Sequence, residues 1–204
     1  VVTTAHEAGL PVLAHAHSLA GARLAVAAGV DGLEHGTCLT PAGPEFPDDL
    51  LEDLARRDIP VCLTTALDRA LVGTATPPPT MQAALARMGL TQQELLERRL
   101  VGAARMHRAG VRLVNGVDAG AVPPKPHGLA WRGVADLVEA GIPVAVALAT
   151  ATSGAADALG FGGSTGRLLP SYDADLLVVH GDVESDPTAL AHVAAVVVRG
   201  FPLP

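Results

Sequence analysis

The sequence predicts an α/β fold built on a parallel sheet, and three observations carry that expectation. Short apolar strand-like runs alternate with helix-like segments through most of the chain, the pattern of strands joined by helical crossovers. Apolar residues make up 49% of the 204 residues but aromatics only 2%. The core is therefore built from many small, closely fitted Ala, Val, Leu and Gly side chains, which suits helix–strand packing better than an aromatic sandwich. Beyond a Gly-rich stretch at Gly160 to Arg167 the character changes, and two β-type runs follow without long helices between them. The length is sufficient for an ordinary domain with a real core.

Taken in order, Val2 to Ala8 reads as a helix end closed by Gly9, and Pro11 to His17 as a buried strand ending in polar residues. Leu19 to Ala28 is a small-residue helix stopped by Gly29, and Val30 to His35 a second strand. Asp48 to Arg57 is helical with Pro47 near its first turn, followed by a third strand at Ile59 to Thr65. Gly73 to Thr80, with its three consecutive prolines, reads as a loop over one face. Thr91 opens a helix with Glu94 completing a capping box, running to about Ala109. Val111 to Val117 is the fourth strand, followed by Asp118-Ala119-Gly120 and a Pro-rich loop to Gly128. Two helices, Leu129 to Ala140 and Val144 to Leu159, precede the tail runs Ala174 to Val179 and Val193 to Val198. Four strand–helix units fit either half of an eight-unit barrel or a small doubly wound sheet, and the period alone does not choose between them.

Composition excludes several classes. The net charge is −7 with no basic cluster, so no nucleic-acid partner is expected. Apolar runs are broken by Pro, Gly or charge before reaching the length of a membrane span, so no membrane partner is expected either. With no visible signal segment, and with Cys38 and Cys62 lacking metal-type spacing, the expectation is a cytoplasmic protein with reduced thiols.

The chemistry lies at the strand ends. Three of the four strands pass directly from an apolar run into a potential metal ligand: His15 (with His17), His35 and Asp118. In an αβ barrel those ends share one mouth, where groups far apart in sequence converge. Imidazole nitrogen and carboxylate oxygen suit zinc and related divalent ions. Each residue also has a structural reading, since a strand-end histidine is often simply hydrogen-bonded and Asp118-Ala119-Gly120 fits turn chemistry. The third strand ends in threonines and is expected to shape the pocket.

Val12-Leu13-Ala14-His15-Ala16-His17-Ser18, Gly32-Leu33-Glu34-His35-Gly36 and Asn115-Gly116-Val117-Asp118-Ala119-Gly120 resemble strands five, six and eight of the amidohydrolase superfamily. The nearest branch is the one similar to imidazolonepropionases and Xaa-Pro dipeptidases. Gly166 to Val179 resembles that family's return from barrel to a small β-sandwich, and Val197-Val198-Arg199-Gly200 its last strand. The resemblance implies the C-terminal half, strands five to eight, of a TIM-type (β/α)8 barrel over residues 1–165, then part of the small sandwich over 166–204. It implies His15, His35 and Asp118 as metal ligands, with Asp118 also the catalytic proton carrier. His17, two residues beyond His15 and on the same strand face, is expected to line the pocket. His127 in the loop after strand eight is a candidate substrate contact. His6, His107, His180 and His192 read as structural or exposed.

The implied function is metal-dependent hydrolysis of a C–N bond (amide, cyclic amide or dipeptide-like) in a small-molecule substrate. The cofactor expected is a divalent metal, zinc by preference, with one or two ions in the complete protein. The family's His-x-His pair on strand one and its strand-four lysine are not found here and are expected upstream of Val1, because a full barrel needs about 250 residues. Half a barrel exposes sheet edges and an apolar face, so the segment alone is expected to be inactive and to aggregate or form a homo-oligomer. Two alternatives stay open. One is a mononuclear deaminase of cyclic C=N bonds, with His35 as proton donor; the other is a non-catalytic remnant or binding module without metal.

Overall fold

The computed structural model describes residues 1–204. In chain order the first half comprises α1 (Val2–Glu7), β1 (Leu13–His15), α2 (Leu19–Ala28), β2 (Gly32–Glu34), β3 (Leu39–Thr40), β4 (Gly43–Pro44), α3 (Asp48–Arg56) and β5 (Val61–Leu63). The part around the main sheet continues with α4 (Pro79–Met88), α5 (Gln92–Arg108), β6 (Leu113–Asn115), α6 (Ala130–Glu139), α7 (Val144–Ala151) and α8 (Ser153–Ala158). The tail contains β7 (Leu176–Val179), a 3-10 turn at Pro187–Ala191, β8 (Val193–Val198) and β9 (Phe201–Pro202).

The centre is a four-stranded, wholly parallel sheet in the order β1-β2-β5-β6. His15 pairs with Glu34, Glu34 with Cys62, and Leu63 with Asn115, so all four carboxyl ends lie along one edge. The alternation of side chains along a strand separates two faces. Leu33, Val61, Leu63 and Leu113 point outward into the core, where they meet Val26 of α2, Leu50 and Leu54 of α3, Met106 of α5 and Leu137 of α6. Burying one such side chain contributes about 1.5–3 kcal/mol, so this face supplies most of the stabilisation. The opposite face, with Leu13, Glu34, Cys62 and Val114, is shielded only in part, and Leu13 is 47% exposed.

Local signals explain the helix ends. Ser18 Oγ accepts from Gly21 N at the start of α2, and Gly29 closes that helix at φ +82°, a left-handed conformation in which glycine is unstrained. Thr91 and Glu94 form the reciprocal capping box expected for α5.

Three expectations need correction. The proline stretch does not remain a loop to Thr80, because α4 begins at Pro79. A proline in the first turn loses no helical hydrogen bond, and the extended Pro78 leads into it. The helix expected over Val144 to Leu159 is two helices, separated at Thr152, whose backbone (φ −129°, ψ −101°) is not helical. Thr152 Oγ1 bonds back to the Leu148 carbonyl, a local competitor of the helix ladder, and a side chain at Gly154 would meet Ala149 O at 2.9 Å. The tail has three strands, not two: β7, β8 and β9 form one antiparallel sheet. The two-residue, proline-containing β9 is too short to show periodicity. The 3-10 turn anchors this sheet, burying Ala189 and packing Leu190 against the main core.

Candidate metal centre

β1 carries His15 at its last position and His17 just beyond it, while β2 leads directly into His35. Their three rings meet. His35 Nε2 lies 2.8 Å from His15 Nδ1, and the His17 and His35 rings stack with centroids 4.2 Å apart. One nitrogen from each of the three lies within 4.8 Å of the others.

Two threonines fix the orientation. His35 Nδ1 is 3.0 Å from Thr64 Oγ1, and His17 Nδ1 is 3.0 Å from Thr37 Oγ1. With hydrogen on Nδ1, each ring donates to its threonine and keeps an Nε2 lone pair, the arrangement by which outer partners orient metal ligands. Burial, followed by the neighbouring imidazoles, pushes the His35 pKa down to about 4 and lowers that of His17. His35 is therefore neutral near pH 7, the form that ligates.

The backbone is strained at two of the residues singled out by sequence. His35 has φ +72° and Asp118 has φ +59°, left-handed values uncommon outside glycine. Gly36, next to His35, has φ +50° and admits no side chain, because a Cβ there would stand 2.3 Å from Val61 Cγ1. The chain turns sharply after β2 and leaves the His35 ring at the carboxyl edge of the sheet, beside His15 and His17.

Asp118 follows β6 at the same edge but stands outside the group of three imidazoles. Its carboxylate is exposed and lies 3.7 Å from Lys125 Nζ. Lys125, the only lysine in the sequence, is buried and donates to Thr64 O at 2.9 Å and Val117 O at 3.0 Å, tying the ends of the third and fourth sheet strands together. Burial, with Arg99 adding to it, pushes its pKa down to about 8. His127 is exposed, and no hydrogen bond joins it to the cluster. Of the remaining histidines, His6 pairs with Asp31 at 2.8 Å.

The structure thus brings His15, His17 and His35 together, sets Asp118 on the same rim and leaves His127 apart. Sequence reasoning missed Thr37, Lys125 and Arg99. A signal for Lys125 was present, since a single lysine enclosed by prolines in an acidic chain is unusual. The donor set suits a divalent ion: two imidazoles oriented by threonines, a third beside them, and a carboxylate on the same sheet edge.

No curated protein matches the chain in sequence. Among solved structures it is similar to a Xaa-Pro dipeptidase with methionine bound in its active site (TM-score 0.80, 24% identity, covering 100% of this chain and 47% of the other). It is similar to a candidate prolidase from Bifidobacterium longum (TM-score 0.79, 29% identity, 99% and 49% covered). It is also similar to phenylurea hydrolase B (TM-score 0.78, 23% identity, 99% and 45% covered). The chain spans about half the length of these proteins. The sequence profile of the amidohydrolase family matches residues 1–202, nearly the whole chain, and the chain belongs to that family.

Proposed function

We propose that the chain supplies half of the catalytic mouth of a metal-dependent hydrolase of C–N bonds, taking an amide, cyclic amide or dipeptide-like small molecule. The observation that carries this reading is the convergence of His15, His17 and His35 at one sheet edge, with strained backbone at His35 and Asp118. Family membership supports it. In this reading the four parallel strands are strands five to eight of an eight-stranded barrel (residues 1–165), and the tail (166–204) is part of a small β-sandwich. The open inner face, where Leu13 is half exposed, agrees with a barrel completed by other strands.

His15 and His35 hold the metal, zinc by preference, and Asp118 extends the ligand set from the rim. A divalent ion, when bound, acidifies water and polarises the substrate carbonyl. Asp118 accepts the proton of the attacking water and returns it to the leaving nitrogen. Lys125 offsets the charge of Asp118 from 3.7 Å. His17, held by Thr37, lines the pocket or completes the ligand set, and His127 reaches substrate only if its loop folds inward. Residues 1–204 alone are expected to be inactive.

The test is zinc uptake by the purified protein, followed by calorimetry. Saturable uptake is expected, lost in His15→Ala and in His35→Ala. No uptake, or uptake unchanged in both variants, would reject the metal centre.

A further inference from the structure

We propose that Arg99 and Lys125 form a carboxylate-binding subsite beside the histidine cluster, so that the substrate carries a free carboxylate close to the scissile C–N bond. The placement next to a scissile bond rests on the hydrolase reading above; the anion site itself does not.

Arg99 stands apart from the other arginines. Of thirteen in the sequence, eight pair with a carboxylate, and Arg87, Arg98, Arg108 and Arg199 are exposed. Arg99 alone is shielded without a carboxylate partner. Its one side-chain hydrogen bond is a long one, 3.5 Å to Thr64 Oγ1. A guanidinium offers five donors, so most of its capacity is unused. A charge without a counter-ion in a partly buried setting is unfavourable, and burial pushes the Arg99 pKa down to about 10. An incoming anion would relieve that cost.

Lys125 faces the same space. Arg99 and Lys125 line one cavity of about 60 Å³, whose walls include Leu67, Met81, Leu95 and Val122 and no acidic residue. A space this small suits a carboxylate head rather than a whole substrate. Two of the three Lys125 N–H groups are used on Thr64 O and Val117 O, and Asp118 at 3.7 Å leaves the third only loosely engaged. Guanidinium and ammonium converging in an apolar wall suit a charge-assisted bond to carboxylate.

The subsite adjoins the candidate reaction centre through one residue. Thr64 Oγ1 touches both Arg99 and His35, and Thr64 O accepts from Lys125. A carboxylate held here, with Thr64 the single residue between Arg99 and His35, suits a ligand whose acid group lies a short way from the reacting bond, as in an N-acyl amino acid or the C-terminal residue of a dipeptide.

The experiment compares N-acetyl-L-valine with N-acetyl-L-valinamide, which differ in the charged group, by calorimetry on the purified protein. The acid should bind roughly tenfold or more tighter than the amide, and Arg99→Gln should reduce the acid to the level of the amide. Equal binding of acid and amide, binding of neither, or an Arg99→Gln protein that keeps its preference overturns the proposal. The wild-type comparison decides even if a variant fails to fold. Zinc uptake on the same samples separates the two readings. Zinc binding without acid preference removes the subsite and leaves the metal centre; acid preference without zinc binding removes the hydrolase reading and leaves the subsite.

Discussion

On the outer face of the parallel sheet Leu33, Val61, Leu63 and Leu113 are all 7% exposed or less, whereas along its carboxyl edge His15, His17 and Asp118 are exposed. The two regions share the same strands and differ by one or two residues along the chain. The outer face has ordinary backbone geometry and apolar contacts throughout. The edge holds left-handed His35 and Asp118, a buried lysine and a shielded arginine without a counter-ion. Each of those features costs free energy that the outer face must offset. The contrast teaches that stability and chemistry are physically separable here, and each prediction below tests that separation.

The largest effect is expected from Asp118→Asn in an enzyme with a completed barrel. Removing the proposed proton acceptor should lower turnover roughly 10²–10⁴-fold, measured as amine release. Asparagine tolerates the left-handed φ of +59°, so unfolding should shift by no more than about 0.5 kcal/mol. A fully active variant would remove Asp118 from the chemistry.

The converse is Leu54→Ala. Leu54 is 1% exposed on α3, within the outer core and not a member of the histidine cluster. Its truncation should destabilise by about 2–5 kcal/mol in denaturant titration. Zinc uptake by the folded fraction should be unchanged; a parallel loss would show that the edge depends on the detailed packing beneath it.

The same separation decided what could be read from sequence. The four strands were legible because each is a short apolar run preceded by a glycine or proline, and His15, His35 and Asp118 stood out because they break those runs. The α5 capping box was legible because its chemistry is local. Arg99 was not, because its partner Thr64 lies 35 residues away and only the β5–β6 pairing brings α5 over it. The break at Thr152 was also hidden, since the alanines of Val144 to Leu159 favour helix on both sides of it and the Thr152 bond back to Leu148 O and the close approach at Gly154 show only in the folded chain. The start of α4 was masked by prolines that suppress a helix everywhere except its first turn.

Acid should act on the edge before the outer face. The His35 pKa is about 4 in the folded protein against 6.5 as reference, so the metal-free native state binds fewer protons than the unfolded chain between those values. Stability should therefore fall as pH drops from about 6.5 to about 4 and level off below, by up to about 3 kcal/mol, with His17 contributing in the same direction. His35→Asn, which tolerates φ +72°, should flatten most of that dependence in denaturation curves taken at several pH values. An equally steep curve in the variant would place the acid sensitivity elsewhere.

The smallest effect tests the contrast most finely. Thr91 Oγ1 accepts from Glu94 N at 3.1 Å while Glu94 Oε2 accepts from Thr91 N at 2.8 Å, closing the exposed start of the helix that carries Arg99. Thr91→Ala should cost about 1 kcal/mol, read as a small drop in the denaturant midpoint. Arg99 sits two turns further on, where Leu96, Ala103 and Met106 lock α5 into buried packing, so fraying of the first turn should not reach it. Acid-over-amide preference and zinc uptake should both survive the substitution. If either weakens along with the midpoint, the edge and its scaffold are one cooperative unit, and the division between the two regions fails at α5.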